Sequence, residues 1–204
     1  MNRKAALLVK LTGPLIILLA VYGIYLLAPF LEYMAIKPLS GDIICRANSG
    51  GSEGRFFSAV SGEPVSECGL VLSHHWRWYV LDFNGRVTLK PLAAWIFRSR
   101  SFAVFRIAEA TSGISPGLRN KFVELAGRPA NPPVFCGAET ISRFYPVKTG
   151  SAVTIDDGLS ARLKENGFAV QPGVKVVTPG SIARSATLDE IFSTGMETGR
   201  LKRR

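Results

Sequence analysis

The sequence predicts an α+β domain carried behind one membrane-spanning helix, and three observations point there. Residues 11–31 read LTGPLIILLAVYGIYLLAPFL, 21 positions without a charge. A helix of that length covers about 30 Å, the thickness of a bilayer's hydrocarbon core. Downstream, short β-branched and aromatic runs alternate with Gly, Asn and Ser turn signals, the pattern of an antiparallel sheet. Two later stretches carry helix start and stop residues: Ser115-Pro116 to Gly127, and Cys136 to Pro146.

The composition narrows the function classes. Of 204 residues, 47% are hydrophobic and 20% charged, which excludes a disordered or low-complexity chain. Three cysteines are too few for a disulfide scaffold, and no CxxC or Cys/His cluster suggests a metal site. No cofactor is implied. The net charge of +10 is concentrated in the tails. Residues 1–10 and 200–204 hold seven basic residues and no acid, leaving 18 basic against 15 acidic residues elsewhere. A nucleic-acid-binding face is therefore not expected.

Pro14 and Gly23 would weaken a soluble helix but are common in membrane spans. Arg3, Lys4 and Lys10 precede the span, whereas Glu32 and Lys37 cancel after it. The positive-inside rule then keeps residues 1–10 cytoplasmic and exports the rest, to a periplasmic or extracellular location. A cleaved signal peptide is the alternative. The length of the apolar run and the lack of a clear A-x-A site before Gly41 favour the uncleaved anchor.

The exported domain is expected over residues 38–192. Ile43-Ile44-Cys45 reads as a first strand, Asn48 to Gly54 as a Gly/Ser-rich loop, and Arg55 to Ser61 as an ambiguous segment. Cys68 to Leu72 and Trp78 to Phe83 read as strands joined around Ser73-His74-His75-Trp76. Asn84-Gly85 marks a second turn before a strand at Val87 to Leu89. Pro91 to Phe97 suits a helical turn with Pro at its start, and Phe102 to Ile107 alternates like a strand. Beyond Pro146 the chain is turn-rich, with a short strand expected at Val174 to Val177 and a frayed basic tail over residues 193–204.

Several motifs occur in a telling order. Gly41-Asp42-Ile43-Ile44 comes first, then Ser66-Glu67-Cys68-Gly69-Leu70, Val80-Leu81-Asp82, Leu92 to Arg98, Gly127-Arg128-Pro129, Phe135-Cys136-Gly137-Ala138-Glu139, and Thr178-Pro179-Gly180-Ser181-Ile182. Over residues 40–190 this resembles the circularly permuted papain-like hydrolases of the NlpC/P60 superfamily, YiiX type. The resemblance implies a small antiparallel sheet packed on helices, one of which carries a nucleophilic cysteine at its start. Cys136 matches that nucleophile, where helix-end N–H groups favour a thiolate. Asp82 matches the residue that orients the catalytic imidazole, and Glu139 the acid three residues past the cysteine. Ser66, Glu139 and Trp78 become candidates for the substrate cleft, beside Cys136, Asp82 and Glu67 in the catalytic positions. One departure bears on mechanism: the family's histidine falls on Glu67.

His74 and His75 are poor substitutes, because they lie about 23 Å along a strand from Glu67 at the expected hairpin tip. A hairpin turning between them would set Glu67 directly across from Asp82, two carboxylates needing either a shared proton or an intervening Arg or Lys. The alternative is a slipped register with both acids solvated. Cys45 and Cys68 fall on strands that the family pairs, so a disulfide and two buried free thiols are both open. Trp76, Trp78, Tyr79 and Trp95 could line a groove or simply pack.

Two functions follow. In the first, a membrane-anchored envelope thiol hydrolase or acyltransferase cuts amide or ester bonds through Cys136. In the second, an inactive relative binds a peptidoglycan, lipid or peptide ligand, or a protein partner, in the old cleft. A cysteine without an imidazole lacks its usual base, and a carboxylate beside it raises the thiol pKa.

Overall fold

In the computed structural model the described residues are 3–47, 50–63, 65–99, 101–108, 110, 112–130, 136–145 and 152–196. The expected loop residues Asn48 and Ser49, the motif residue Phe135, the stop at Pro146 and tail residues 197–204 lie outside them. The chain divides into two compact units, residues 1–37 and 38–204.

The first unit is helix α1, Arg3–Ala35, which continues through Pro14 and Pro29. Its segment Thr12–Ala35 has a mean hydropathy of 2.3 and is long and apolar enough to cross a membrane.

The second unit is built on a six-stranded sheet whose neighbouring strands all pair antiparallel, in the order Thr88–Pro91, Arg77–Asp82, Val65–His74, Ile43–Ala47, Phe102–Ile107, Leu188–Thr194. Its strands are β1 (Ile43–Ala47), β2 (Val65–His74), β3 (Arg77–Asp82), β4 (Thr88–Pro91), β5 (Phe102–Ile107) and β8 (Leu188–Thr194). β6 (Val153–Thr154) and β7 (Lys175–Val176) form a separate two-stranded ribbon. Central position explains why β1 reads as an unbroken apolar run: both of its neighbours are strands and both of its faces are covered.

One face of the sheet presents Ile43, Cys45, Cys68, Leu70, Leu72 and Phe105 to the main core. Helices α2 (Ser52–Ser61), α5 (Gly137–Phe144), α6 (Asp157–Glu165) and α7 (Pro179–Ala183) supply the other side through Phe56, Phe57, Ile141, Leu163 and Ile182. The alternate positions, Ile44, Arg46, Glu67, Val80 and Asp82, belong to the opposite face, where α3 (Leu92–Phe97) packs with Trp95 edge-on to Phe102. Helix α4 (Pro116–Val123) starts on Ser115, whose hydroxyl accepts the Leu118 N–H, as its Ser-Pro start predicts.

Three expectations are corrected. Residues 52–61 form helix α2 rather than loop and ambiguous segment; its apolar positions Phe56, Phe57 and Val60 recur at helical spacing. Residues 193 and 194 belong to β8, where Ser193 pairs with Ala103 and Thr194 with Phe102, rather than to a tail. The β2–β3 hairpin turns at His75-Trp76, both at positive φ (46° and 62°), one residue later than a turn centred between the histidines, which moves every cross-strand partner by two. His74 therefore faces Arg77 and Leu70 faces Leu81. Glu67 is not opposite Asp82; its partner is Arg46 on β1.

Candidate functional site

The site lies where β1, β2 and β3 run beneath α3. The Cys45–Cys68 pair is directly cross-strand, with Cα atoms 4.2 Å apart, and is joined as a disulfide. It staples the register that sets Arg46 against Glu67, the next pair along. Arg46 donates through Nε to Glu67 Oε2 at 2.5 Å and through Nη1 to Ser99 Oγ at 3.0 Å. Its Nη2 also contacts Glu67 and lies 3.6 Å from Asp82 Oδ2. The guanidinium stacks over Trp95, 4.7 Å from the ring centroid, a cation–π contact strengthened by burial.

Asp82 is equally engaged. Its Oδ2 accepts from Trp95 Nε1 and from Lys90 Nζ, each at 3.0 Å, and its Oδ1 accepts the Asn84 N–H at 2.9 Å. An intervening cation is thus the way these acids coexist, and Arg46 and Lys90 supply it. The pairing itself differs from the expected one, because the turn is shifted.

A third carboxyl completes the cluster. Glu53, in the first turn of α2 and 1% exposed, accepts the Gly137 N–H at 3.0 Å on Oε1. Burial pushes its pKa well above the ordinary carboxylate range, and the charges of Glu67 and Asp82 add to that. The Gly137 hydrogen bond and Arg46 oppose it without prevailing. Two cations thus stand among three carboxyls, and Glu53 is the one whose burial favours the protonated form.

Cys136 is the N-cap of α5 and fully buried. Gly137 is required beside it, because a Cβ there would overlap the Cys68 carbonyl oxygen. The helix-end position does not make a thiolate. Burial raises the Cys136 pKa well above its usual value, and Glu53 raises it further. The N–H groups of Glu139 and Ala138 pull the other way and are outweighed. The cleft between Glu53, Glu67, Gly69, Asp82 and Trp95 has no free volume for a water molecule.

The other expected residues stand elsewhere. Glu139 pairs with Arg143 along α5, Nε to Oε1 2.8 Å, on the exposed side of the helix. Ser66 is buried and alternates to the sheet face opposite Glu67. Trp78 pairs with Ser73 toward the hairpin tip, about 13 Å along β3 from Asp82. His74 and His75 meet edge to face there, ring centroids 4.0 Å apart. Of the four aromatics considered for a groove, Trp95 is the one in the cluster.

No family model matches the chain, and no curated protein matches its sequence. Among solved structures the chain is similar to the metalloprotein YiiX from Escherichia coli O157:H7, DUF1105. The TM-score is 0.60 and the identity 20%, over 77% of this chain and 98% of that one. The domain has a YiiX-like fold.

That neighbour's description as a metalloprotein poses a test for the residues present. Among the described residues of the YiiX-like domain, no group of three or more His, Cys, Asp and Glu is placed to hold a metal. Where acids do converge, Arg46 and Lys90 take the cationic positions. The cluster does not fit a metal ion.

Sequence reasoning missed Glu53, Arg46 and Lys90. Glu53 was hidden by the Gly/Ser-rich stretch around it. Arg46 carried a signal, since it follows an apolar run on a central strand, where a charge needs a partner.

Proposed function

We propose that this chain is a membrane-anchored, YiiX-like domain of permuted papain-like type whose old catalytic cleft is closed, so that it works as a binding or structural module of the cell envelope. The observation that carries this reading is the Arg46–Glu67–Asp82 cluster. At the position that the resemblance gives to the histidine stands Glu67, a carboxylate already held by the Arg46 guanidinium rather than an imidazole. The strand bearing Glu67 precedes the helix bearing Cys136, the order of a permuted domain. The apolar α1 behind Arg3, Lys4 and Lys10 supports an anchor with a cytoplasmic N-terminus. The Cys45–Cys68 disulfide suits an oxidising compartment.

The thiol-hydrolase reading keeps one supporting observation, the placement of Cys136 at a helix N-terminus. Full-length protein in vesicles, offered peptidoglycan fragments and acyl esters, distinguishes the two. Wild type and Cys136→Ser are expected to show the same background turnover. Turnover lost in Cys136→Ser would restore the hydrolase.

A further inference from the structure

The β2–β3 hairpin ends in His74, His75, Trp76 and Arg77. Trp76 is fully exposed, 103% on the relative scale, so its side chain contributes no burial to the fold. His75 and Trp76 both hold positive φ, 46° and 62°. A two-residue turn of this kind favours Asn-Gly, and bulky residues there cost on the order of 1 kcal/mol or more each. A large indole kept in a strained, solvent-facing turn is a poor choice for stability.

The tip also has a definite address. Ser40 Oγ accepts the Ser73 N–H at 2.8 Å, and the Gly41 N–H donates to the Val71 carbonyl. The hairpin tip is therefore at the end of the sheet where the chain enters the domain, while Glu67 lies about 23 Å away along the same strand. Ser40 follows the last residue of α1 by five positions, a reach of at most about 18 Å. Trp76 is a further three residues, roughly 10 Å, past Ser73. Arg77 is exposed beside it, and the two histidines that precede it meet edge to face. Trp with adjacent basic groups is the composition that settles at a bilayer's headgroup level.

We propose that the His74–Arg77 hairpin tip docks on the anionic headgroup layer of the membrane that α1 spans, with Trp76 as the inserted side chain. This rests on the membrane-anchored reading. The occupant is the lipid surface rather than a protein, because an exposed indole beside Arg77 matches an apolar layer under negative charge, and the short connection from α1 lets the tip reach that surface.

The test uses the full chain in vesicles of phosphatidylglycerol and phosphatidylethanolamine, some acyl chains carrying bromine to quench nearby indoles. Flotation with the vesicles after alkaline washing reports the anchor separately. Wild type is expected to float and to show quenching that Trp76→Phe loses. The double variant His75→Asn/Trp76→Gly should also lose quenching while its thermal midpoint stays equal or rises, which separates a lipid contact from a folding role. Quenching should weaken in vesicles of phosphatidylcholine alone. A chain that floats with quenching unchanged in Trp76→Phe would overturn the docking and leave the anchor standing. A chain that fails to float would overturn the anchor, and the docking with it. Equal quenching in both lipid mixtures would overturn the headgroup-charge claim.

Discussion

Two buried ion pairs flank β1, and they are built differently. At its start Asp42 takes Arg106 side-on, Nε to Oδ1 and Nη2 to Oδ2 both at 2.8 Å, and also accepts the Leu39 N–H. One carboxylate meets one guanidinium with its hydrogen bonds filled, and the pair ties the incoming chain to β5. The nearby Tyr145 hydroxyl, buried and close to Asp42, is pushed to a higher pKa and donates to the Gly41 carbonyl. At the other end Arg46 is shared by Glu67 and Asp82, Lys90 shares Asp82, and Glu53 brings a third carboxyl beside a buried thiol. The first arrangement is what a fold needs. The second carries more acids than cations, an imbalance that packing alone does not call for. Perturbed, unbalanced clusters of this kind mark places shaped for chemistry. In the reading proposed above, the guanidinium that makes the cluster tolerable also occupies the carboxylate that replaces the base.

The contrast can be broken by experiment. Arg46→Met should be the most damaging change, because it strands Glu67 in a buried site; urea unfolding should show a loss of about 3–5 kcal/mol. Removing the staple with Cys45→Ala/Cys68→Ala should cost about 3 kcal/mol, given the 23-residue separation it closes. Arg106→Met at the balanced pair should cost less, about 2 kcal/mol. Asp42 keeps the Leu39 N–H there, and Arg106 is already partly solvated. Equal losses at Arg46 and Arg106 would erase the distinction between the two pairs.

The smallest effect is a pH dependence. Glu53 is protonated over a higher range folded than unfolded, so the folded state binds more protons. Its contribution is full below the ordinary carboxylate range and is lost as pH rises toward the folded pKa. Wild-type stability should therefore decline with rising pH across that window, by at most about 1.4 kcal/mol per pH unit from this group. Glu53→Gln keeps an acceptor for the Gly137 N–H and should flatten the decline, as read from urea midpoints in a pH series.

Much of the frame was legible in the sequence because the local rules agreed with the final packing. β5 falls on the Phe102–Ile107 run expected for it, with Phe102 to Phe105 buried on both faces. The Ser-Pro start of α4 and the Cys136 start of α5 match their helices to within a residue. The hairpin register was not legible. His75-Trp76 lacks the Asn-Gly chemistry that announces a two-residue turn, so nothing local marked where β2 ends. Glu53 was missed for a similar reason, since its Gly and Ser neighbours argue for loop while α2 is held by tertiary burial of Phe56 and Phe57. β8 carries Asp189 and Glu190 directly after its first residue, Leu188. Only its pairing to β5 makes it a strand.

The central claim, that the cluster leaves Cys136 buried and protonated, has a direct measurement. The chain has three cysteines, and with Cys45 and Cys68 bridged, iodoacetamide without reductant reads Cys136 alone. Full-length protein should resist labelling from about pH 5 to pH 9, around the range where an ordinary thiol ionises, and label at once when denatured. Rapid labelling of the folded chain below pH 7, absent in Cys136→Ser, would contradict the account and mark a working nucleophile.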